Sequence, residues 1–416
     1  MEKKKTHHAW FVMIGCAVIS FVGMGLVLNT VGLYFPSIIK DFNVGSAQVS
    51  VFMTVMALGM IIAMPIAGIL LAKMNLKVLL SICAVFVGGG LFLCSLATSL
   101  IPLYIGALLI GLGASLLPGM LNGVVLGNWF SKKLGLVLGI VTSVSGVGGA
   151  IFNPLMSMVI RDLGWQSGYR ISSVIVLVAI LPVIWLFMRF APGNGESAYG
   201  AEIVAEQSNG ATAPIMDGMT FKEAVRSPLF YLILISGGTL AVQSGLVQQI
   251  SSHVTSIGFE ITVAGSVMSG VMIGTAVGKL LLGVLIDTLK KPAYALLIYM
   301  VLGAAGWTGL VLLHSQLLMI VCGFLLGTAQ AIMLVAFPFV SRKVFGGKEF
   351  SRINSIHNMV NGLVPAVSIV GLGAIFDKTG SFNTPFIIGS AMVVASIIFM
   401  IASLAMSAKR NTKAAA

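Results

Sequence analysis

Apolar residues run through this chain in long blocks separated by short polar connections. A helix needs about 20 apolar residues to cross the hydrocarbon core of a bilayer, whereas the strands of a membrane barrel would show short alternating segments. Twelve blocks of this length are predicted as membrane helices, over residues 9–36, 46–72, 76–98, 100–127, 134–160, 169–190, 229–257, 261–287, 292–313, 316–345, 350–376 and 382–407. The fold class they imply is an all-α membrane protein. The first block is too long for the core of a signal peptide and has no small-x-small cleavage site in the right place, so it is read as a retained first span.

The polar stretches set the organisation. The one long connection, 191–228, divides the blocks six and six. The expected domains are therefore a six-helix bundle over 1–190, a cytoplasmic linker over 191–228 and a second six-helix bundle over 229–416. The linker opens on APGNGESAYG, a flexible composition. It ends on MTFKEAVRSP, where Thr220-x-x-Glu223 forms a capping box and predicts a short surface helix before span seven. The two halves also repeat. GILLA (68–72) and GVLID (283–287), Phe130 and Phe345, and Asp162 and Asp377 all share an offset of 215 residues. A repeat with an even number of spans gives two halves of the same orientation. Parallel repeats around a central cavity are an architecture of secondary transporters.

Composition removes other classes. Charged residues make up 9% of the chain and hydrophobic residues 58%, against about 25% charge in soluble domains, so a water-soluble globule is excluded. The net charge of +12 would fit a nucleic-acid partner, but Lys and Arg lie in the short connections. Nineteen of them fall on the side of the N-terminus, and only Lys40, Arg161, Arg170 and Lys378 on the other. The positive-inside rule then predicts both termini in the cytoplasm. No nucleic acid is expected. Cys16, Cys83, Cys94 and Cys322 lie within apolar blocks without metal-like spacing and read as inert small hydrophobes. GVGGAI lacks the Lys-Ser ending of a phosphate-binding loop, and no Ser/His/Asp set points to a hydrolase. Neither an enzyme nor a cofactor is expected.

Along essentially its whole length the chain resembles the major facilitator superfamily. That family's signature after helices two and eight is Gly-x-Leu-x-Asp followed by basic residues. Gly283, Leu285, Asp287, Lys290 and Lys291 match it. In the first copy Gly68, Leu70, Lys73 and Lys77 fit, but Ala72 replaces the acid. The resemblance implies that Gly68, Lys73, Gly283, Asp287 and Lys290 belong to gating loops. More narrowly, residues 128–154 and the EAVRSPLFYL run resemble the oxalate/formate antiporter and monocarboxylate transporter branches.

Candidate chemistry sits inside the blocks. No Asp or Glu lies deep in any predicted span, whereas Lys279 does, eight residues or about 12 Å before Asp287. A cation at the centre of a lipid-facing helix costs about 3 kcal/mol. Two readings stand for Lys279: it snorkels to the headgroups, or it faces the cavity as an anion site. The resemblance favours the second, because those branches carry a functional basic residue in helix eight, usually arginine. Span eleven places Asn354, His357, Asn358 and Asn361 on one helical face, either as interhelical hydrogen bonds or as a substrate-lining face with His357 accepting a proton. The oxalate/formate branch has a lysine where Asn361 stands, so a single carboxylate fits better than a dianion. Ser244 and Gln248 in span seven, Asn29 and Tyr34 in span one, Asn122 in span four and Gln330 in span ten are further candidates for the cavity wall. The small-residue face of Thr142, Ser145, Gly146, Gly149 and Asn153 in span five reads as close helix packing.

The expectation is a monomeric transporter of the inner (plasma) membrane for a small organic anion, most simply a monocarboxylate, working by anion exchange or proton symport. A drug exporter of the same fold and a membrane protein without transport activity are the rival readings.

Overall fold

In lipid every backbone N–H and C=O must find a partner within the protein, and a helix supplies all of them locally. The computed structural model accordingly turns the apolar blocks into helices. It describes residues 7–193, 196–200, 218–289, 292–346 and 348–415. The helices are α1 (His8–Ser20), α2 (Val31–Phe42), α3 (Ser46–Lys73), α4 (Leu76–Ser95), α5 (Leu100–Ala114), α6 (Leu121–Trp129) and α7 (Leu134–Phe187). After the linker come α8 (Phe221–Arg226), α9 (Pro228–Gln248), α10 (Ile250–Ser256), α11 (Ile261–Thr288), α12 (Pro292–Leu312), α13 (Gln316–Ala331), α14 (Phe337–Phe345), α15 (Phe350–Thr379) and α16 (Asn383–Ala415).

Among the described residues, ten helical stretches are long and apolar enough to cross a bilayer, and Gln316–Ala331 is a shorter apolar helix. One of the ten is α7, whose 54 residues contain a non-helical Gly164 at φ 81° and ψ 162°. Glycine carries that positive φ without a Cβ penalty. Predicted spans five and six are the two arms of this kinked run. Predicted span ten is also not one straight helix: α13 passes through a π-helical turn, Ile332–Ala336, before α14. Pro338 follows that turn, and its missing N–H weakens the helical ladder there.

Two compact units result, Met1–Asn43 with Val51–Ala213, and Val44–Ser50 with Pro214–Ala416. The first turn of α3 thus groups with the second unit, where the sequence placed it in the first half. The reason lies at its free N–H groups, which carry the positive end of the helix dipole. The Asp377 carboxylate accepts from the Ser46 and Ala47 backbone N–H groups at 2.7 and 2.9 Å. The Gln249 amide accepts from Ser46 Oγ at 3.3 Å and donates to Ser50 Oγ at 2.8 Å.

Within the first unit, α3 and α5 approach backbone to backbone: a Cβ on Gly59 would lie 2.8 Å from the Leu108 carbonyl oxygen. Gly25 and Gly148 bring α7 equally close to the first span, since a Cβ on Gly25 would lie 2.7 Å from Gly148 Cα. Ser145, Gly146, Gly149 and Asn153 are buried on this face of α7, whereas Thr142 is exposed. Beyond the bundle, the Tyr199 N–H donates to the Trp129 carbonyl at 2.8 Å, and its own carbonyl accepts from Ser131 and Lys132 at 3.1 Å each.

The second unit repeats both devices at the same 215-residue spacing. Gly274, the counterpart of Gly59, has no room for a Cβ against the Phe324 carbonyl, and Gly327 has none against that of Val271. Close packing of this kind is how membrane helices associate without a hydrophobic driving force. Phe345, the counterpart of Phe130, again receives the linker, its carbonyl accepting from the Met219 N–H at 2.8 Å while Gly218 pairs with Gly346. The capping box predicted at α8 is formed, with both the Thr220 side chain and the Glu223 side chain engaged.

Candidate functional site

Interruptions of helical backbone at membrane depth are tolerated where they are buried in protein or line a cavity, and π turns gather at functional sites. Four predicted spans carry such interruptions. A π turn, Phe21–Leu28, joins α1 to the bend at Asn29 and Thr30, and another, Ser115–Met120, joins α5 to α6. The third is the break at Gln249 between α9 and α10, and the fourth is the π turn between α13 and α14. Asn29, Tyr34, Asn122, Ser244, Gln248 and Gln330 lie on these four spans, whereas Lys279 and the polar face of α15 do not.

In the first unit Asn29, Tyr34 and Asn122 hold helices together. Asn29 donates from Nδ2 to the Ser145 carbonyl at 3.2 Å, and Asn122 donates to Ser20 Oγ at 2.8 Å. Tyr34 is fully buried, stacks on Tyr169 with ring centroids 4.0 Å apart, and shares a hydrogen bond with Ser172 at 3.2 Å. Thr30, Tyr34, Tyr169 and Ser172 line a water-sized cavity with Leu26 and Met56.

In the second unit Ser244 and Gln248 are half-buried on α9. Gln330 lines a second water-sized cavity with Gln243, Trp307 and Met333. Gln243, one position before Ser244 and absent from the candidates read from sequence, is the better bonded residue. It donates to the Gly389 carbonyl at 2.8 Å and accepts from Trp307 Nε1. Its place off the stripe of Ser244 and Gln248 hid it, because the partners come from α12 and α16.

Lys279 sits on α11 in line with Met268, Met272 and Ile286, all buried. The lipid-like arc of the same helix, Ile273, Leu280, Leu281 and Val284, is exposed on another side. The lysine is half-buried and, among the described residues, makes no hydrogen bond or ion pair. Its backbone neighbour Gly278 accepts from Tyr299 Oη at 2.7 Å, which fixes α11 against α12 at this level.

The predicted face of α15 is split. His357 is fully buried in a cage of Phe230, Phe337 and Phe345, at ring separations of 5.1, 5.4 and 6.4 Å, and neither ring nitrogen meets a hydrogen-bond partner. Asn361 is 9% exposed, and its Oδ1 is likewise unpaired. The Asn358 side chain lies outside the described residues. Of the residues expected in gating loops, Gly68 and Gly283 are half-buried, Lys73 is exposed, and the Asp287 side chain and Lys290 lie outside the described residues.

Among known proteins, monocarboxylate transporter 12 of Rattus norvegicus is 22% identical over 424 residues, covering 97% of this chain and 87% of its own length. Monocarboxylate transporter 13 of Rattus norvegicus is 23% identical, covering 93% and 86%. Solved structures share the fold. A bacterial homolog of the human lysosomal transporter Spinster, inward-facing and unoccupied, aligns with a TM-score of 0.69 at 16% identity over 97% of both chains. The nucleoside transporter NupG aligns with a TM-score of 0.69 at 13% identity over 96% of this chain and 99% of its own. The Major Facilitator Superfamily profile matches residues 13–262 and 248–415. With two matches that between them span the repeated halves, the chain belongs to the Major Facilitator Superfamily.

Proposed function

We propose that this protein is a secondary transporter of a small organic anion, a monocarboxylate, working by alternating access. The observation that carries the reading is Lys279, a half-buried cation on the inner stripe of α11 with no acidic partner among the described residues. An uncompensated cation in low dielectric is unfavourable, and a carboxylate arriving from solution removes the penalty. The names of several relatives, monocarboxylate transporters 12 and 13 among them, support the same substrate class. With Asn361 in place of a second cation, one negative charge is the better match.

In this reading Ser244, Gln248 and Gln330 hold the remainder of the substrate, as do Asn29, Tyr34, Asn122, Asn358 and Asn361, and His357 exchanges a proton. Gly68, Lys73, Gly283, Asp287 and Lys290 act in gating. The chain crosses the plasma membrane twelve times as a monomer, with both termini in the cytoplasm. Support for that number comes from α7, which at 54 residues and 1.5 Å per residue covers about 80 Å, more than twice a hydrocarbon core of about 30 Å. It comes also from the continuation of α13 into α14.

The test is uptake of labelled monocarboxylates into vesicles. Lys279→Ala is expected to abolish uptake while expression stays normal, and undiminished uptake would remove the lysine from the site. Export of lipophilic dyes that is insensitive to Lys279→Ala would instead favour the drug-exporter reading.

A further inference from the structure

The linker-facing end of the second unit is strongly cationic, and its carboxylates among the described residues are already in use. Lys222 and Arg226 are exposed on α8, Lys343 on the end of α14, Lys348 on the following turn, and Arg352 on the first turn of α15. Among the described residues none of the five makes an ion pair. Among the described residues two acids share this surface, and both serve the backbone. Glu223 closes the capping box by accepting from the Thr220 N–H at 2.8 Å. That bond, assisted by the nearby Lys348, holds its carboxyl below the usual range. Glu349 accepts from the Phe221 N–H and so ties α8 to the start of α15.

The same contacts make the cations one surface. The Arg352 guanidinium lies 4.5 Å over the Phe221 ring, and the Met219–Phe345 hydrogen bond anchors the strand entering α8. Gly218, at φ 151°, makes that approach where a Cβ would meet the Phe345 carbonyl at 2.6 Å. Their height is also fixed. Arg226 stands two residues before Pro228, the first residue of the membrane-length helix α9, and Arg352 begins the membrane-length stretch of α15. Arg226 is separated from Pro228 only by the extended Ser227, a chain length of at most about 7 Å, which puts both cations beside the ends of membrane-length helices, where lipid headgroups lie.

We infer that this face, built from Lys222, Arg226, Lys343, Lys348 and Arg352, binds the headgroups of anionic phospholipids. A surface of five cations whose carboxylates among the described residues are spent on helix N-termini is complementary to a phosphodiester-bearing membrane and not to a zwitterionic one. Each Lys or Arg near an anionic surface is worth about fivefold in affinity, and the attraction falls off within a Debye length. The inference is independent of the substrate reading, since Lys279 takes no part in it.

The test titrates the purified full-length protein with dioctanoyl phosphatidylglycerol, dioctanoyl phosphatidylcholine and inorganic phosphate, reading binding by thermal shift. The glycerol lipid is expected to bind at least tenfold more tightly than the choline lipid, to weaken in high salt, and to produce a shift that phosphate alone does not. Lys222→Gln with Arg226→Gln leaves the bonds that dock α8 in place and is expected to weaken binding about 25-fold. Equal affinity for the two lipids, or wild-type affinity in the double variant, overturns the inference. A phosphate shift lost in the same variant would make the face a free-anion site and overturn it as well. If the double variant melts lower without lipid, Lys343→Gln with Lys348→Gln goes through the same titration under the same criteria.

Discussion

Replacing Lys279 by leucine separates a binding cation from a snorkelling one. The perturbation deletes a charge and keeps an unbranched apolar stem of similar length. At the centre of a membrane helix a lysine costs about 3 kcal/mol, and a leucine gains about 0.5 kcal/mol. Lys279 is half-buried, so only part of that difference, about 1–2 kcal/mol, is expected as added stability of the empty variant. The assay is thermal unfolding of the purified protein with and without a monocarboxylate. Wild type is expected to gain about 2.7 kcal/mol at a ligand concentration 100 times Kd, whereas the variant starts higher and gains nothing. A variant that melts lower than wild type would mean that the lysine has a partner. One that keeps the carboxylate shift would mean that the anion binds elsewhere.

Two further substitutions probe the surroundings of that site. Gly327→Ala puts a Cβ against the Val271 carbonyl where α11 and α13 meet, and a loss of about 1–3 kcal/mol is expected, from overpacking. Unchanged melting would show that the two helices slide apart freely. His357→Phe keeps an aromatic ring in the phenylalanine cage and removes the buried ring nitrogens. Stability is therefore expected to hold within about 1 kcal/mol while acid-driven uptake is lost and exchange continues. Destabilisation would make the imidazole a structural group, and normal acid-driven uptake would remove it from proton transfer.

Most of the chain's architecture was legible in one dimension because lipid leaves the backbone a single local solution. Apolar length alone predicts the helices, and the 215-residue offset predicts the repeat. The paired glycines of the two units and the twin docking of the linker at Phe130 and Phe345 add to it. The capping box at Thr220 was equally plain, since every atom it needs lies within four residues.

Partnership over long sequence distances was not legible. The polar face of α15 reads as one stripe of amides and an imidazole, yet tertiary packing gives His357 to three phenylalanines from α9 and α14. Asn29 and Asn122 read as cavity groups but also bond neighbouring helices. Hydrogen bonds between helices depend on crossing points and rotations that no local pattern encodes. The first turn of α3 is the clearest case. Its sequence places it in the first half, and the carboxylate of Asp377, more than three hundred residues away, holds it in the second unit. Sequence determined that a lysine stands in an apolar helix with no acid beside it. Only the tertiary structure decided that it lies on the buried stripe, because the direction of a side chain follows from which faces of the helix its neighbours cover.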